Sequence, residues 1–487
     1  MRNLIDSYFR VVDPEKALRR AQDRLALKVL DGYNEGNSKR GYDAALDTRK
    51  TAGFFSRFRT SAEQETSKAA DRLAYVGQEL TRNNPLANRV KKVWANNTVG
   101  QGIKLEVSGP SKSKSIKFNQ SFEDWAESTD CDFEGQSTLY GLQWLWMATI
   151  VESGGVLIRR HINPAKSMPL QLQTFEQTML DRSKNGSQVT DGIARDDNGQ
   201  ITGYWILSGK NGKSKFHKAD TIIHIFRKER CGQHLGISWF ASSAITFNDF
   251  ATLTDAKLMQ QQIAACFAVI MEQPNTAVGV NNGKGTSELP DEVTPGLVYH
   301  AKAGTTPHVI TPPKADNAAK FDVALKQEMA AGTGLTYEQL TGDYSLVTFA
   351  SGRMGKSESN AELDYVQKVM FKPALNRIFT WFRVVRSLKT GDTGVFIPDW
   401  TFPPRAAVNP QEEFDVLMSK VRHCMMSPQK AAKILGEKFP EIVERWKEAK
   451  EVFGDLPFDI DPSVFASTGN QLMTAKDSMP KEELKQK

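Results

Sequence analysis

Apolar and polar positions alternate most informatively between residues 316 and 390, where a helix, a loop rich in glycine and serine, and a much longer helix follow one another. Asp316 reads as an N-cap, and Phe321, Leu325 and Met329 recur at i, i+4 and i+8 before Gly332 and Gly334. This predicts a helix over 316–332 with one buried face. Thr336 with Gln339 three residues on forms a capping box for a short helical turn that Gly342 closes. Residues 343–356 lack a helical period and carry Gly352 and Gly355, which predicts a loop with basic tips. A further capping box, Ser359 with Glu362, opens the long helix, in which Leu363, Val366, Met370, Ile378, Phe382 and Val385 keep i+3 and i+4 spacing. Glu358, Glu362 and Asp364 lie in its first turns and Arg383, Arg386 and Lys389 in its last, as the helix dipole favours. Gly391 ends it and Pro373 predicts a kink midway. About 30 residues at ~1.5 Å each make a spine of roughly 45 Å, a length suited to holding layers or subunits together.

Elsewhere, Asp13 and Pro14 open a helix over 13–30 with Leu18, Ala21, Leu25 and Val29 on one side, and 31–60 reads as loop. Helices are expected over 63–83 and 86–97, broken at Pro85 and ended by Gly100 and Gly102. Strands are expected at 151–160, 170–175, 201–208 and 221–226, with the Asp197-Asn198-Gly199 turn between the second and third. The fold class is therefore α+β with a mainly antiparallel sheet. Residues 237–265 again read as helix through Phe240, Ala244, Phe247, Ala251, Leu253 and Leu258. Residues 272–315, punctuated by proline and glycine with strand candidates at 297–301 and 308–311, read as a small module inserted between two helices. Beyond the spine come an extended proline-rich connector at 400–410, helices at 412–423, 428–435 and 442–452, and a tail rich in Lys, Glu and Ser.

Composition narrows the class without naming it. A chain of 487 residues has length for about three domains or one discontinuous body, and 40% hydrophobic with 25% charged residues excludes collagen-like and disulfide-rich chains. The longest apolar run, 263–271, is far short of the roughly 20 residues that cross a bilayer, and residues 1–10 are charged rather than signal-like. A soluble chain made in the cytoplasm is expected. Cys131, Cys231, Cys266 and Cys424 are scattered and read as structural thiols rather than metal ligands. Of the net charge of +6, most sits in residues 1–60, where 13 Lys and Arg face 8 Asp and Glu. That arm reads either as a nucleic-acid contact or as a solvated amphipathic segment.

Candidate chemistry is sparse. Residues 350–357 end in Gly355-Lys356-Ser357, as a phosphate-cradling loop does, but Ala350 stands where its first glycine belongs. No apolar strand ends in a magnesium-binding aspartate either, since Val395 to Asp399 is interrupted by Pro398. The seven histidines are dispersed, with His217 and His224 flanking one strand, and no GxSxG or HExxH occurs. No catalytic residue, cofactor or metal site is expected. Trp94, Trp125, Trp144, Trp146 and Trp239 read as core rather than as base-stacking platforms.

Several phrases in order resemble the lambda-type phage portal family. They are Arg82-Asn83-Asn84-Pro85-Leu86-Ala87 with Asn97-Thr98-Val99-Gly100-Gln101-Gly102-Ile103, then Cys131-Asp132, Gln143 and Glu152-Ser153-Gly154-Gly155-Val156. The strongest block is His224-Ile225-Phe226-Arg227 with Glu229-Arg230, Gly232-Gln233 and Gly236-Ile237-Ser238-Trp239. Leu340-Thr341-Gly342-Asp343-Tyr344-Ser345, Ser351-Gly352-Arg353, Trp400 and Pro404 follow. The resemblance implies a homo-oligomeric ring, typically of twelve subunits, at one vertex of the virion, through which double-stranded DNA is packaged and later leaves. It implies as partners the terminase large subunit, the major capsid and scaffold proteins, and head-completion or adaptor proteins, with no membrane. It also relabels the chain as arm (1–60), wing (61–236), stem (237–271), clip (272–315), second stem (316–335), tunnel-loop region (336–356), spine with C-terminal helices (357–455) and tail (456–487). Ser351, Arg353 and Lys356 become DNA-facing residues of a tunnel loop, and Gly283, Lys284 and Gly285 the clip tip that meets the motor. Gly352 and Gly355 depart from the family's pattern and imply a more mobile loop. The residue-level alternative is that Arg353 caps an element or pairs with a carboxylate such as Glu358. Two other functions fit less of the sequence: an ATP-driven DNA translocase using Gly355-Lys356-Ser357, and a head-tail adaptor without a channel.

Overall fold

Asn84 joins the first two described helices. The structure, a computed structural model, describes residues 60–208, 212–265, 269–272, 298–301, 318–345, 347–405 and 409–453, nearly all in one compact unit, Ala62–Lys487. The arm up to residue 59, the strand expected at 308–311, the clip tip and the tail lie outside the described residues. Helix α1 spans Ala62–Asn83 and α2 Pro85–Val99. Asn84 is extended, and its side-chain oxygen accepts from the N–H groups of Leu86 and Ala87. Pro85 sits where a missing N–H costs nothing, so it opens α2 instead of breaking a helix.

Strand β1 (Lys104–Ser108) and helices α3 (Lys112–Glu127) and α4 (Leu139–Ser153) fill a region in which the sequence pattern predicts nothing. Helix α4 is apolar on every side because it runs through the core, with Leu139, Trp146, Met147 and Ile150 fully buried, so it offers no amphipathic period. It also claims residues 151–153, expected as strand. Strand β2 (Gly155–Ile162) begins only after Gly154, whose φ of +90° caps the helix. Strands β3 (Leu170–Glu176), β4 (Val189–Thr190), β5 (Ile193–Arg195), β6 (Ile201–Ser208), β7 (Lys213–Lys218) and β8 (Ile222–Phe226) complete two antiparallel sheets, in the orders β3-β2-β8 and β4-β5-β6-β7. The Asp197-Asn198-Gly199 turn therefore joins β5 to β6, not the two strands predicted around it. Strands β4 and β5 are too short, and β7 too polar, to leave an alternating pattern.

Helix α5 spans Ala244–Ala265, seven residues later than predicted, because 239–243 form turns. Strands β9 (Val269–Glu272) and β10 (Val298–Ala301) pair in parallel. Helix α6 (Ala318–Thr333) leads to α7 (Tyr337–Thr341), where the Thr336–Gln339 capping box is present and Gly342 closes the turn at φ +76°. The spine then differs from expectation at both its start and its middle. Helix α8 (Phe349–Tyr365) starts ten residues before Ser359, a π-helical turn spans Val366–Phe371, and α9 covers Lys372–Thr390. Pro373 would clash with the carbonyl four residues back in an α-helix, and the wider turn just before it relieves that clash without a break. Segments of 17, 6 and 19 residues give a spine of roughly 60 Å.

Strand β11 (Ile397–Thr401) pairs antiparallel with β1, placing Pro398 opposite Val107 in a two-stranded sheet, where an edge tolerates proline. Residues expected as connector thus begin as strand. Helices α10 (Pro410–Arg422), α11 (Pro428–Ile434) and α12 (Phe439–Phe453) follow. Phe382 of α9 lies 5.0 Å from Phe122 and 5.2 Å from Trp125, so an aromatic cluster fastens the second half of the spine to α3. Trp94, Trp125, Trp146 and Trp239 are buried as expected. Cys131 is buried, but Cys231 and Cys424 are exposed and not core thiols; Cys266 lies outside the described residues.

Candidate functional site

The phrases that stand out most in the sequence build a frame. Gln143 clasps Ile103 through both its backbone N–H and its carbonyl, and the Asp132 carboxylate accepts from the N–H groups of Glu134, Gln136 and Ser137. Gln233 likewise accepts from Glu229 and Arg230 and donates to Leu235. Gly154 and Gly236 pack backbone against backbone, so closely that a Cβ on Gly236 would stand 2.0 Å from the Gly154 carbonyl oxygen. Arg227 stacks over Trp239 and Tyr365 and pairs with Glu362, tying this block to the spine. None of these residues converges on an open cleft with reactive groups, and among the described residues no group of three or more His, Cys, Asp or Glu is placed to hold a metal. No described helix is long and apolar enough to cross a membrane.

The residues predicted to face DNA sit elsewhere, on the first turns of α8. Thr348 is an extended N-cap: its hydroxyl accepts from the Ser351 N–H at 3.3 Å, and its own N–H donates to the Ser351 hydroxyl at 3.0 Å. Ser351 is thereby a capping residue, with its hydroxyl already engaged. The predicted loop shrinks to the residues between Gly342 and Thr348, where the Asp343 carboxylate accepts from the Ser345 N–H at 3.0 Å. Bonding to Ser345 holds Asp343 below the usual carboxylate range.

Gly355-Lys356-Ser357 consequently lies inside an α-helix. Its backbone N–H groups bond within the helix and cannot cradle a phosphate, so the translocase reading loses its geometry. Arg353 and Lys356, one turn apart, do come together. Arg353 reaches toward Glu412 at 3.9 Å rather than Glu358, while Lys356 enters no ion pair among the described residues.

Tertiary packing adds cations that no local pattern announces. Lys368, Lys372, Arg405, Lys430 and Lys433 wall the same cleft as Lys356, against Asp364 and Glu413. Arg405 pairs with Asp364 and donates to the Asn360 carbonyl, and Lys433 bridges Glu106 and Asp399. The packing around α8 is thin: between Phe349 and Glu362 no residue is buried, whereas α9 buries Leu375, Ile378, Phe379 and Phe382. Gly283, Lys284 and Gly285 lie outside the described residues.

Residues 47–367 match the family model described as phage portal protein, lambda family. The chain is 22% identical over 353 residues to the probable portal protein of Halomonas phage phiHAP-1, covering 66% of each chain. It is 21% identical over 338 residues to portal protein B of Escherichia phage lambda, covering 58% of this chain and 62% of that one. It is 24% identical over 161 residues to the portal protein of Escherichia phage N15, covering 28% and 30%. The chain thus spans under two thirds of the length of these curated relatives. Among solved structures, the neck of a native gene transfer agent particle matches with a TM-score of 0.42 at 14% identity, covering 76% of this chain and 94% of that chain.

Proposed function

The chain belongs to the lambda family of phage portal proteins, and from that premise we propose that it acts as a portal: a structural ring at one vertex of a phage head and the channel for double-stranded DNA. The portal role is structural, and no catalytic step is assigned to it. In this reading 61–236 form the wing, 237–271 and 316–335 the stem, 272–315 the clip with its tip at Gly283, Lys284 and Gly285, and 357–455 the spine and C-terminal helices. Copies number twelve, and the partners are the terminase large subunit, capsid and scaffold proteins, and head-completion proteins.

One observation carries the DNA-facing assignment. Arg353 and Lys356 stand on the exposed turns of a helix whose other half is locked in the core, so cations are held at a defined place without being buried. A ring repeats each of them around its axis. Circles of cations attract phosphates without regard to sequence, as a conduit requires. Lys356 is the stronger candidate because Arg353 already leans on Glu412.

Lys356→Ala tests this. The variant is expected to assemble with unchanged stability and to package or retain DNA several-fold differently from the parent at low salt, the gap closing as salt rises. Equal packaging and retention at both salt concentrations would remove Lys356 from the channel.

A further inference from the structure

Residues 353–372 of the spine present one stripe to the cationic cleft described above. Arg353, Lys356, Asn360, Asp364, Lys368 and Lys372 recur along it at intervals of three and four residues, and every spine residue that lines the cleft is polar or charged. At ~1.5 Å per residue the stripe makes a track of roughly 28 Å. Arg405 of the connector and Lys430 and Lys433 of α11 line the cleft from outside the spine.

Seven Lys and Arg thus line the cleft against two carboxylates, Asp364 and Glu413, in a chain whose 63 Lys and Arg nearly balance 57 Asp and Glu. Ion pairs account for part of this charge. Arg353 leans on Glu412, Lys368 and Arg405 share Asp364, and Lys433 bridges Glu106 and Asp399. Lys356, Lys372 and Lys430 enter no ion pair among the described residues. Cations gathered without counter-charges repel one another, and an anionic occupant relieves that cost.

The form of the cleft selects the anion. A compact oxyanion touches one or two cations and leaves most of the track unused. An acidic peptide needs apolar seats as well as charge, and the spine wall offers none. A single strand needs exposed rings for its bases to stack on, but the aromatic residues that line the cleft are Trp400, buried with its indole N–H bonded to Asn376, and the partly buried Phe402. The backbone of a duplex needs neither. It presents one phosphate per ~3.4 Å along each strand, about eight over the length of the track, and asks only for cations and hydrogen-bond donors. We propose that this track binds the phosphate backbone of duplex DNA, with Lys356, Lys372 and Lys430 each meeting a phosphate. The proposal rests on the portal reading for the presence of DNA, but not on the place of Lys356 in the channel.

The experiment titrates the full-length protein with a fluorescein-labelled duplex of about 20 base pairs and arbitrary sequence, at low and high salt. A variant with Lys372→Ala and Lys430→Ala, both at exposed positions, is expected to keep the parent's melting temperature. It should bind the duplex about tenfold more weakly at low salt and lose roughly 2 from the slope of log affinity against log salt, about one for each phosphate contact removed. Lys447→Ala with Lys450→Ala removes the same charge from exposed positions of α12 outside the cleft, and should leave affinity and slope as in the parent. Equal binding by the cleft variant and the parent overturns the inference, as does an equal loss in the α12 variant, which would reduce the attraction to net charge. Poly-glutamate of the same charge that displaces the duplex at equal concentration assigns the cleft to an acidic protein segment, and a single strand bound more tightly than the duplex assigns it to unpaired DNA. Either result also overturns the proposal. Because Lys356 is intact in the cleft variant, a loss of binding there stands even if Lys356→Ala leaves packaging unchanged.

Discussion

His224 packs between the rings of Tyr204 and Phe226, with its Nε2 3.1 Å from the Gln177 side-chain oxygen. That oxygen also accepts from the Gly236 N–H, and the Gln177 amide nitrogen donates to the Gly236 carbonyl, so the histidine nitrogen is the donor. Burial, and secondarily the proximity of His234, pushes its pKa from 6.5 down to about 3. Below pH 6.5 the unfolded chain therefore takes up a proton that the folded chain does not, and stability falls as pH drops toward 3. Denaturation in urea at pH 7.5, 6 and 5 is expected to show a loss of up to about 1.4 kcal/mol per pH unit from this group, removed in His224→Gln. Identical slopes in parent and variant would show that the ring is protonated in place. Nearby, Asp191 illustrates the opposite balance: burial would raise its pKa, but hydrogen bonds from His234 and Ser67 and the charge of Arg182 hold it low. The sequence marked His224 as a strand neighbour and as part of the strongest family phrase but not as half of a bonded pair, because its partner Gln177 is 47 positions away.

At the scale of elements, the start of the spine is the sharpest difference between sequence and fold. A helix with one buried face advertises itself by its period. Residues 349–362 bury nothing, so no period exists, and the two glycines read as breakers. The signal that remained was the cap, Thr348 with Ser351, weaker than a Ser–Glu pair because serine at the third position is an unusual reciprocal partner. A helical Gly355 makes a prediction that a loop would not. A Cβ there would meet only the Thr336 methyl at 3.7 Å, so Gly355→Ala is expected to stabilise the helix by about 0.5–1 kcal/mol and to slow hydrogen exchange at 349–356. Unchanged exchange would return this stretch to a loop. Gly352→Ala should gain less, since its Cβ would stand 3.0 Å from a Val347 methyl.

For the whole molecule, the apolar positions of α5 and α6 are only partly used within one copy. Met329 and Ala330 of α6 and Phe247 of α5 are buried, whereas Ile245, Leu258, Met259 and Phe321 remain 55–78% exposed. An isolated chain with that surface associates, and a ring offers a place for it. Leu258→Asp is expected to leave the fold and its melting temperature within a few degrees of the parent while shifting sedimentation from ring to monomer. Rings of unchanged size would show that α5 is not a subunit contact.

The sequence by itself determined the elements that bury one face, the caps at Thr336 and Gly342, the antiparallel α+β class and the family, because each is written in local period or in short ordered phrases. It also singled out Arg353 and Lys356 together, though on a loop. Only the tertiary structure decided that α4 runs through the core, that β11 pairs with β1, and that Gly154 meets Gly236. It alone brought Arg405, Lys372 and Lys430 beside Lys356. The physical reason is the same in each case. Period and capping record how a residue meets its neighbours along one element, but a largely buried helix, an edge pairing or a gathering of charges is set by segments far apart in the chain, and leaves no local trace.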